Sequence, residues 1–366
     1  MVSDKRGYLR IPQGTEGFYL EEAYRHRMLT AEVEHLFYQW GYLPAQTPVV
    51  DYYDAYASLL SDDDTRSIYR LIDRDGDLLM LRSDVTLFLA KQMGMILREE
   101  DLPIRVCYAD TILRHQNRED ISRNEFFQTG IELIGPQTID ADLEVVLLLR
   151  RTLEHIGAPD FFIHIGSRAL FNAGFGEAGS LARRRLRRAI VLRDMQQFAF
   201  EAEALGENSA RIEALQRLYS FIGPLNALGE LSESLNSRLS SDETRCLQQL
   251  MQLASILTQA EDPTPYRVDL SEIGSQPYHT GVAFRAYVDG LDTSIAAGGR
   301  YDRLYGLFGF ETPAVGFSLM LRKLQDDAAL HARFQPPPSE NAAGETFLQR
   351  LRDAEARRQD GRSVTL

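Results

Sequence analysis

A carboxylate and a carboxamide flank a bare glycine in Gln128-Thr129-Gly130-Ile131-Glu132. If Phe126 to Ile134 is a strand, its period of two places Gln128, Gly130, Glu132 and Ile134 on one face and Phe127, Thr129, Ile131 and Leu133 on the other. At roughly 3.3 Å per residue the Cα atoms of Gln128 and Glu132 stand about 13 Å apart, so two long side chains can converge over Gly130 around a small polar molecule. A solvent-facing strand with an incidental glycine has the same spacing, so a pocket needs further groups. Arg82-Ser83-Asp84-Val85-Thr86 and Leu113-Arg114-His115-Gln116 supply two arginines and a carboxylate at strand edges. An arginine fork suits a carboxylate or phosphate, and Asp84 with Glu132 suits an amine. The set is complementary to a zwitterion such as an amino acid, although each residue alone is more often a surface ion-pair partner.

Gly298-Gly299-Arg300-Tyr301-Asp302 is a second concentration of signal. Its paired glycines permit close backbone approach beside two recognition groups, and a plain turn with a structural Arg–Asp pair is the competing explanation. Tyr278-His279-Thr280-Gly281 offers a polar ring pair before a strand. The glycine spacing excludes dinucleotide and P-loop fingerprints, and no zinc-ligand spacing or Gly-x-Ser-x-Gly elbow occurs. Cys107 and Cys246 match no metal or redox spacing and read as reduced structural residues. Arg183, Arg184, Arg185, Arg187 and Arg188 wrap most of a helix, as a solvated face does.

The elements that must position these groups can be read from periodicity. Leu29, Val33, Leu36, Phe37 and Trp40 define a helix ended by Gly41, and Thr47 to Tyr52 is extended. Asp73-Arg74-Asp75-Gly76 turns a hairpin between Ser67–Ile72 and Asp77–Arg82. Ile104 to Ala109 and Phe126 to Ile134 are strands around a charged loop ending in Arg118-Glu119-Asp120. Asp140 is expected to cap a helix that Gly157-Ala158-Pro159 stops. Strands return at Tyr266–Leu270, Gly281–Val288 and Pro313–Leu319, which predicts an α+β fold. Residues 1–180 and 262–330 are expected to form one discontinuous core, 181–261 a helical insertion, and 331–366 a Pro336-Pro337-Pro338 linker with a short C-terminal remnant. The 366 residues carry a formal charge of −13, which opposes a generic nucleic-acid surface. With 44 % hydrophobic and 25 % charged residues and no apolar run long enough to span a bilayer, a water-soluble cytoplasmic protein is expected.

In this order the segments resemble the class II histidyl-tRNA synthetase catalytic core over roughly residues 8 to 325. Leu81-Arg82-Ser83-Asp84-Val85-Thr86 is similar to that family's Leu-Arg-Pro-Glu-Gly-Thr, and Arg114-His115-Gln116 to the Arg-His-Glu of motif 2. Gln128-Thr129-Gly130-Ile131-Glu132 looks like the Gln-x-Gly-x-Glu that grips the histidine amino group. Gly298 to Asp302 is similar to its Gly-Gly-Arg-Tyr-Asp, and Thr312 to Phe317 to the approach to motif 3. The resemblance implies an antiparallel class II sheet flanked by helices. The departures fall on the ATP apparatus: Lys323 stands for the motif 3 arginine, Gln116 for a carboxylate, and Gly274-Ser275-Gln276-Pro277-Tyr278-His279 for an arginine-led Arg-Gly-Leu-Asp-Tyr-Tyr element. Losing a preorganised charge commonly costs on the order of 3 kcal/mol of transition-state stabilisation.

A retained amino-acid pocket with a dismantled nucleotide clamp resembles the regulatory subunits of ATP phosphoribosyltransferase. That resemblance implies a homodimer within a hetero-oligomer with the short-form catalytic subunit, L-histidine as ligand, and no tRNA, membrane, cofactor, metal or catalytic residue. It also implies that Asp84, Thr86, Arg114, Gln128, Glu132, Tyr278, His279 and Tyr301 form the histidine site. The amino group would lie near Glu132, Gln128 and Asp84, the carboxylate near Arg114, and the imidazole toward Tyr278, His279 and Tyr301. The alternatives are a truncated synthetase-like ligase acting on a non-tRNA acceptor and a tRNA-binding module.

Overall fold

Helix α1 (Leu20–Gln39) buries Leu29, Val33, Leu36 and Phe37 on one face, and Gly41, with φ +82°, takes the left-handed conformation just past its end. These and the following elements come from a computed structural model that describes residues 12, 14–15, 17–60, 62–115, 124–176, 181–235, 237–324 and 332–366. The charged loop at Arg118-Glu119-Asp120 lies outside the described residues.

After β1 (Leu43–Pro44), β2 (Val50–Tyr52) and α2 (Asp62–Ser67), the expected hairpin forms from β3 (Arg70–Ile72) and β4 (Leu78–Leu81). Gly76 adopts φ +95° in its turn, and the Asp73 side chain accepts the Asp75 and Asp77 backbone N–H groups at 2.9 Å each. Asp84 caps α3 (Val85–Gly94) by accepting the Leu87 N–H at 3.1 Å. Strands β5 (Ile104–Leu113) and β6 (Glu125–Ile134) pair antiparallel over ten residues each. β5 outlasts the expected end at Ala109 because Asp110 finds a cation in Arg82 and pairing continues to Leu113↔Glu125.

The cap of α4 (Ile139–Ile156) is Thr138, not Asp140; Asp140 sits in the first turn, where its charge still complements the helix dipole. Gly157, at φ +73°, ends that helix as expected. Then come β7 (Phe161–Ser167), α5 (Arg168–Phe175), α6 (Leu181–Val191), α7 (Met195–Ala204), α8 (Ser209–Tyr219), β8 (Ile222–Gly223), α9 (Leu228–Leu235) and α10 (Ser241–Ala260). The five arginines from Arg183 to Arg188 lie on α6, whose Leu186, Ala189 and Ile190 are buried. The chain returns to the sheet through β9 (Tyr266–Asp269), β10 (Val282–Val288), β11 (Ala296–Tyr301) and β12 (Ala314–Leu319). The last described segment is a parallel pair, β13 (Ser339–Asn341) and β14 (Ser363–Thr365), joined through α11 (Phe347–Gln359). Among the described residues no helix is long and apolar enough to cross a membrane.

Among the described residues, nine strands form one sheet in the order β1-β5-β6-β12-β11-β10-β7-β9-β8, and β2-β4-β3 form a smaller one. The strands from β5 to β7 in that order are antiparallel throughout. β12 slots beside β6 although about half of the chain separates them in sequence, so this pairing is long-range. The period of two then divides the faces. Ile131 and Leu133 of β6 and Val315, Phe317 and Leu319 of β12 pack with α1, α4 and the helices between β7 and β9. Ile134, Val106, Tyr108 and Ala314 pack with α3 and the small sheet in a second core. Each fully buried Leu or Phe contributes about 1.5–3 kcal/mol to holding these layers together.

Arg82 is not at a strand edge facing a ligand. It is 2 % exposed, donates to the carbonyls of Thr47 and Thr111 at 2.7 and 2.8 Å, and pairs with Asp110 at 3.0 Å. It pins the start of α3 to β5. We expect Arg82→Met to lower stability by about 3 kcal/mol, since it strands the carboxylate of Asp110, and to leave the slope of urea unfolding unchanged. A wild-type urea midpoint would show that the buried fork is dispensable.

Candidate functional site

Glu132 stands near the C-terminal end of β6, opposite Val106 of β5 and Gly316 of β12, with only 1 % of its surface exposed. Glycine is required at position 316 because a Cβ there would fall on the Glu132 carboxylate and the Ile131 carbonyl. Gly130 is a floor for the same reason: a Cβ would meet the Phe317 carbonyl and, at 2.6 Å, the Tyr108 hydroxyl. The glycine read as incidental or functional is thus imposed by close packing of three strands.

Two hydroxyls hold the carboxyl group. Thr86, in the first turn of α3, donates to Oε1 at 2.6 Å, and Tyr301, at the end of β11, donates to Oε2. Asp84 lies beside it; its Oδ2 accepts from Arg114 and from Gln276, each at 3.4 Å. Gln128 is buried and uses its Oε1 to accept the Val85 N–H at 3.4 Å. The rings of Tyr278 and Tyr301 cross edge to face with centroids 5.4 Å apart, and His279 stacks parallel to Tyr301 at 6.4 Å.

Six of the eight sequence-predicted residues, Asp84, Thr86, Glu132, Tyr278, His279 and Tyr301, line one cleft. Gln128 supports α3 from below. Arg114 lines the adjoining cavity with Ile112, Phe126 and Met320, and touches the cleft only through Asp84. Ser275, Gln276 and Ser318 also line the cleft and were missed. Ser318 alternates with Gly316 on β12 and was legible from strand period; Gln276 reaches Asp84 from a loop whose path no local pattern reveals. Gly298 to Tyr301 form the end of central strand β11 rather than a turn, with their Arg–Asp pair intact. Arg300 joins Asp142 at 2.7 Å and Asp302 at 3.4 Å and so ties the sheet to α4. Gln116 lies outside the described residues, as does the side chain of Lys323.

Electrostatics follow from burial. Desolvation, reinforced by Asp84, pushes the Glu132 carboxyl up to about 8 against the opposing pull of Thr86 and Tyr301. His279 is driven down to about 3, first by burial and then by Arg168 and Arg285. Near neutral pH the cleft therefore holds a protonated Glu132 and a neutral imidazole. No arginine or lysine lines it among the described residues, so it offers acids, hydroxyls and rings but no cation for a triphosphate. Acids and hydroxyls set beside rings are complementary to a cationic or hydrogen-donating group. The cleft encloses about 40 Å³, against roughly 300 Å³ at the lower end of ligand pockets, so an amino acid enters only if the loop carrying Gln276 and Tyr278 moves.

Because the folded protein keeps the Glu132 proton up to about pH 8 while the unfolded chain releases it near 4.5, this group's stability contribution falls as pH rises between those values. Glu132→Gln mimics the neutral acid and removes that slope. Urea unfolding at pH 5 and pH 8 is expected to give a wild-type-minus-variant difference that shrinks at the higher pH; an unchanged difference would mean that Glu132 is ionised in the folded state.

A family model described as histidyl-tRNA synthetase matches residues 14–324. An ATP phosphoribosyltransferase regulatory subunit of Geobacter sulfurreducens is 32 % identical over 84 % of this chain and 70 % of that protein. The one of Bacillus pumilus is 32 % identical over 89 % of this chain and 83 % of its own length. A solved structure from Bacillus halodurans, described as an ATP phosphoribosyltransferase regulatory subunit/histidyl-tRNA synthetase, shares the fold with a TM-score of 0.83 at 24 % identity, covering 98 % of this chain and 92 % of that one. A class II sheet, a cleft that holds acids without cations, and relatives of this kind over most of its length make the chain a member of the histidyl-tRNA synthetase-like family of ATP phosphoribosyltransferase regulatory subunits.

Proposed function

We propose that the chain joins a short-form ATP phosphoribosyltransferase catalytic subunit in the cytoplasm, activates it, and senses free L-histidine so that the first step of histidine biosynthesis slows as histidine accumulates. The observation that carries this reading is the buried pair Asp84 and Glu132 beside three packed rings, in a cleft without a lining cation. The ammonium of histidine would displace the Glu132 proton and sit between Glu132, Asp84 and the Thr86 hydroxyl. The imidazole would lie against Tyr278, His279 and Tyr301, and the carboxylate would reach Arg114, which borders the cleft at Asp84. Gln128 would act by holding the start of α3.

Sensing requires that histidine bind two states of the assembly unequally; a ligand of equal affinity for both shifts nothing. The tight cleft supports such a difference, since the closed loop must give way on entry. The apolar side chains of the small sheet support self-association: Val50, Tyr52 and Ile72 are 38, 54 and 72 % exposed. Neither tRNA nor a membrane is part of this reading.

Mixing the chain with a short catalytic subunit and following phosphoribosyl-ATP formation is expected to give stimulation by the chain and inhibition by histidine. Glu132→Ala should keep the stimulation and weaken inhibition by at least about tenfold, the effect of losing a charged hydrogen bond. Histidine-dependent exchange of pyrophosphate into ATP by the chain alone would sink this reading in favour of a ligase. Ile72→Glu is expected to convert a dimer to a monomer in sedimentation velocity at micromolar concentration, and an unaltered sedimentation coefficient would remove the small sheet from the interface.

A further inference from the structure

A second cavity of about 250 Å³ lies behind the loop that closes the cleft. Tyr278 and His279 form a wall of both, while Arg168, Asn172 and Leu307 belong only to the second. Arg168 opens α5 and is 5 % exposed. One of its terminal nitrogens donates to the carbonyls of Ile273 and Gly274 at 3.0 and 3.5 Å, but its Nε has no partner. Among the described residues no carboxylate pairs with it. Burial, with Arg187 adding like charge, lowers its pKa to about 10. One helical turn along α5, the Asn172 side-chain oxygen is buried without a donor. Leu59, Leu304 and Leu307 face these groups as an apolar wall.

A guanidinium taken out of water without an anion is an expensive arrangement, and a structural arginine normally brings its carboxylate with it, as Arg82 does with Asp110 and Arg300 with Asp142. Arg168 departs from that pattern at the wall of a cavity whose volume comes close to the lower end of ligand pockets. We propose that this cavity binds a small organic oxyanion, a phosphate or carboxylate on an apolar body, with Arg168 donating to the oxyanion, the Asn172 amide turned so that its NH2 takes the unpartnered buried position and donates as well, and the leucines covering the body. The site is separate from the histidine cleft and does not rest on the histidine reading.

The test is calorimetric titration of the whole protein, in phosphate-free buffer, with phenyl phosphate, benzoate and inorganic phosphate. Saturable binding of phenyl phosphate or benzoate is expected, and which of the two binds more tightly tells a phosphate seat from a carboxylate seat. Inorganic phosphate, which lacks the apolar body, should bind at least about tenfold more weakly than phenyl phosphate. Arg168→Gln and Asn172→Leu should each weaken binding at least about tenfold, while Glu132→Gln leaves it within about twofold. If Arg168→Gln does not fold, Asn172→Leu decides, because the Asn172 side-chain oxygen holds nothing else in place. No saturable binding of either organic anion at millimolar concentration, or an affinity unaffected by Asn172→Leu, overturns the proposal.

Discussion

A carboxyl group buried between neighbouring strands of an antiparallel sheet can be kept only if its neighbours satisfy it without ionising it. Glu132 sits in that position, and much of the local sequence is a consequence. Gly316 must lack a side chain to leave room for it, Thr86 must open α3 to reach one oxygen, and Tyr301 must end β11 to reach the other. Burial disfavours the charged form, so the folded protein holds a proton there that water would remove.

Cations are used sparingly around the cleft, and among the described residues none lines it. Among the described residues, three arginines that contact the site's scaffold are engaged within the protein. Arg82 holds α3 to β5, Arg300 holds β11 to α4, and Arg114 is divided between the Ser83 carbonyl and Asp84. Stabilising the charge that develops on a transferring triphosphate needs preorganised cations aimed at the reacting atoms. Here the cations serve the scaffold.

Much of the architecture was legible because it depends on local periodicity. The alternation in β6 assigned Glu132 and Gly130 to one face and Ile131 and Leu133 to the other, and the two cores divide along that line. Gly41, Gly76 and Gly157 end or turn their elements with positive φ, as their spacing implied. Where the reading failed, a tertiary partner had overridden a local preference. Asp140 is a better intrinsic cap than Thr138, yet Thr138 occupies the cap, and its carbonyl accepts from Arg300 at 3.2 Å. The paired glycines at 298 and 299, for which a plain turn competed with close backbone approach, lie in a strand between β10 and β12 where their missing side chains admit Phe284 and the neighbouring backbone.

By itself, the sequence determined which residue types could meet: acids, hydroxyls and rings at strand and helix-start positions. Those depend on short-range dihedral preferences and on a fixed side-chain period. Only the tertiary structure decided which of them meet in one cleft, that Arg82 and Arg300 are spent on the scaffold, that Gln276 reaches Asp84 from a distant loop, and that Arg168 lies buried without a counter-ion. Such pairings join residues far apart in the chain. They are set by the register of β12 against β6 and by the competition for the few cations inside, and neither is written in any local window.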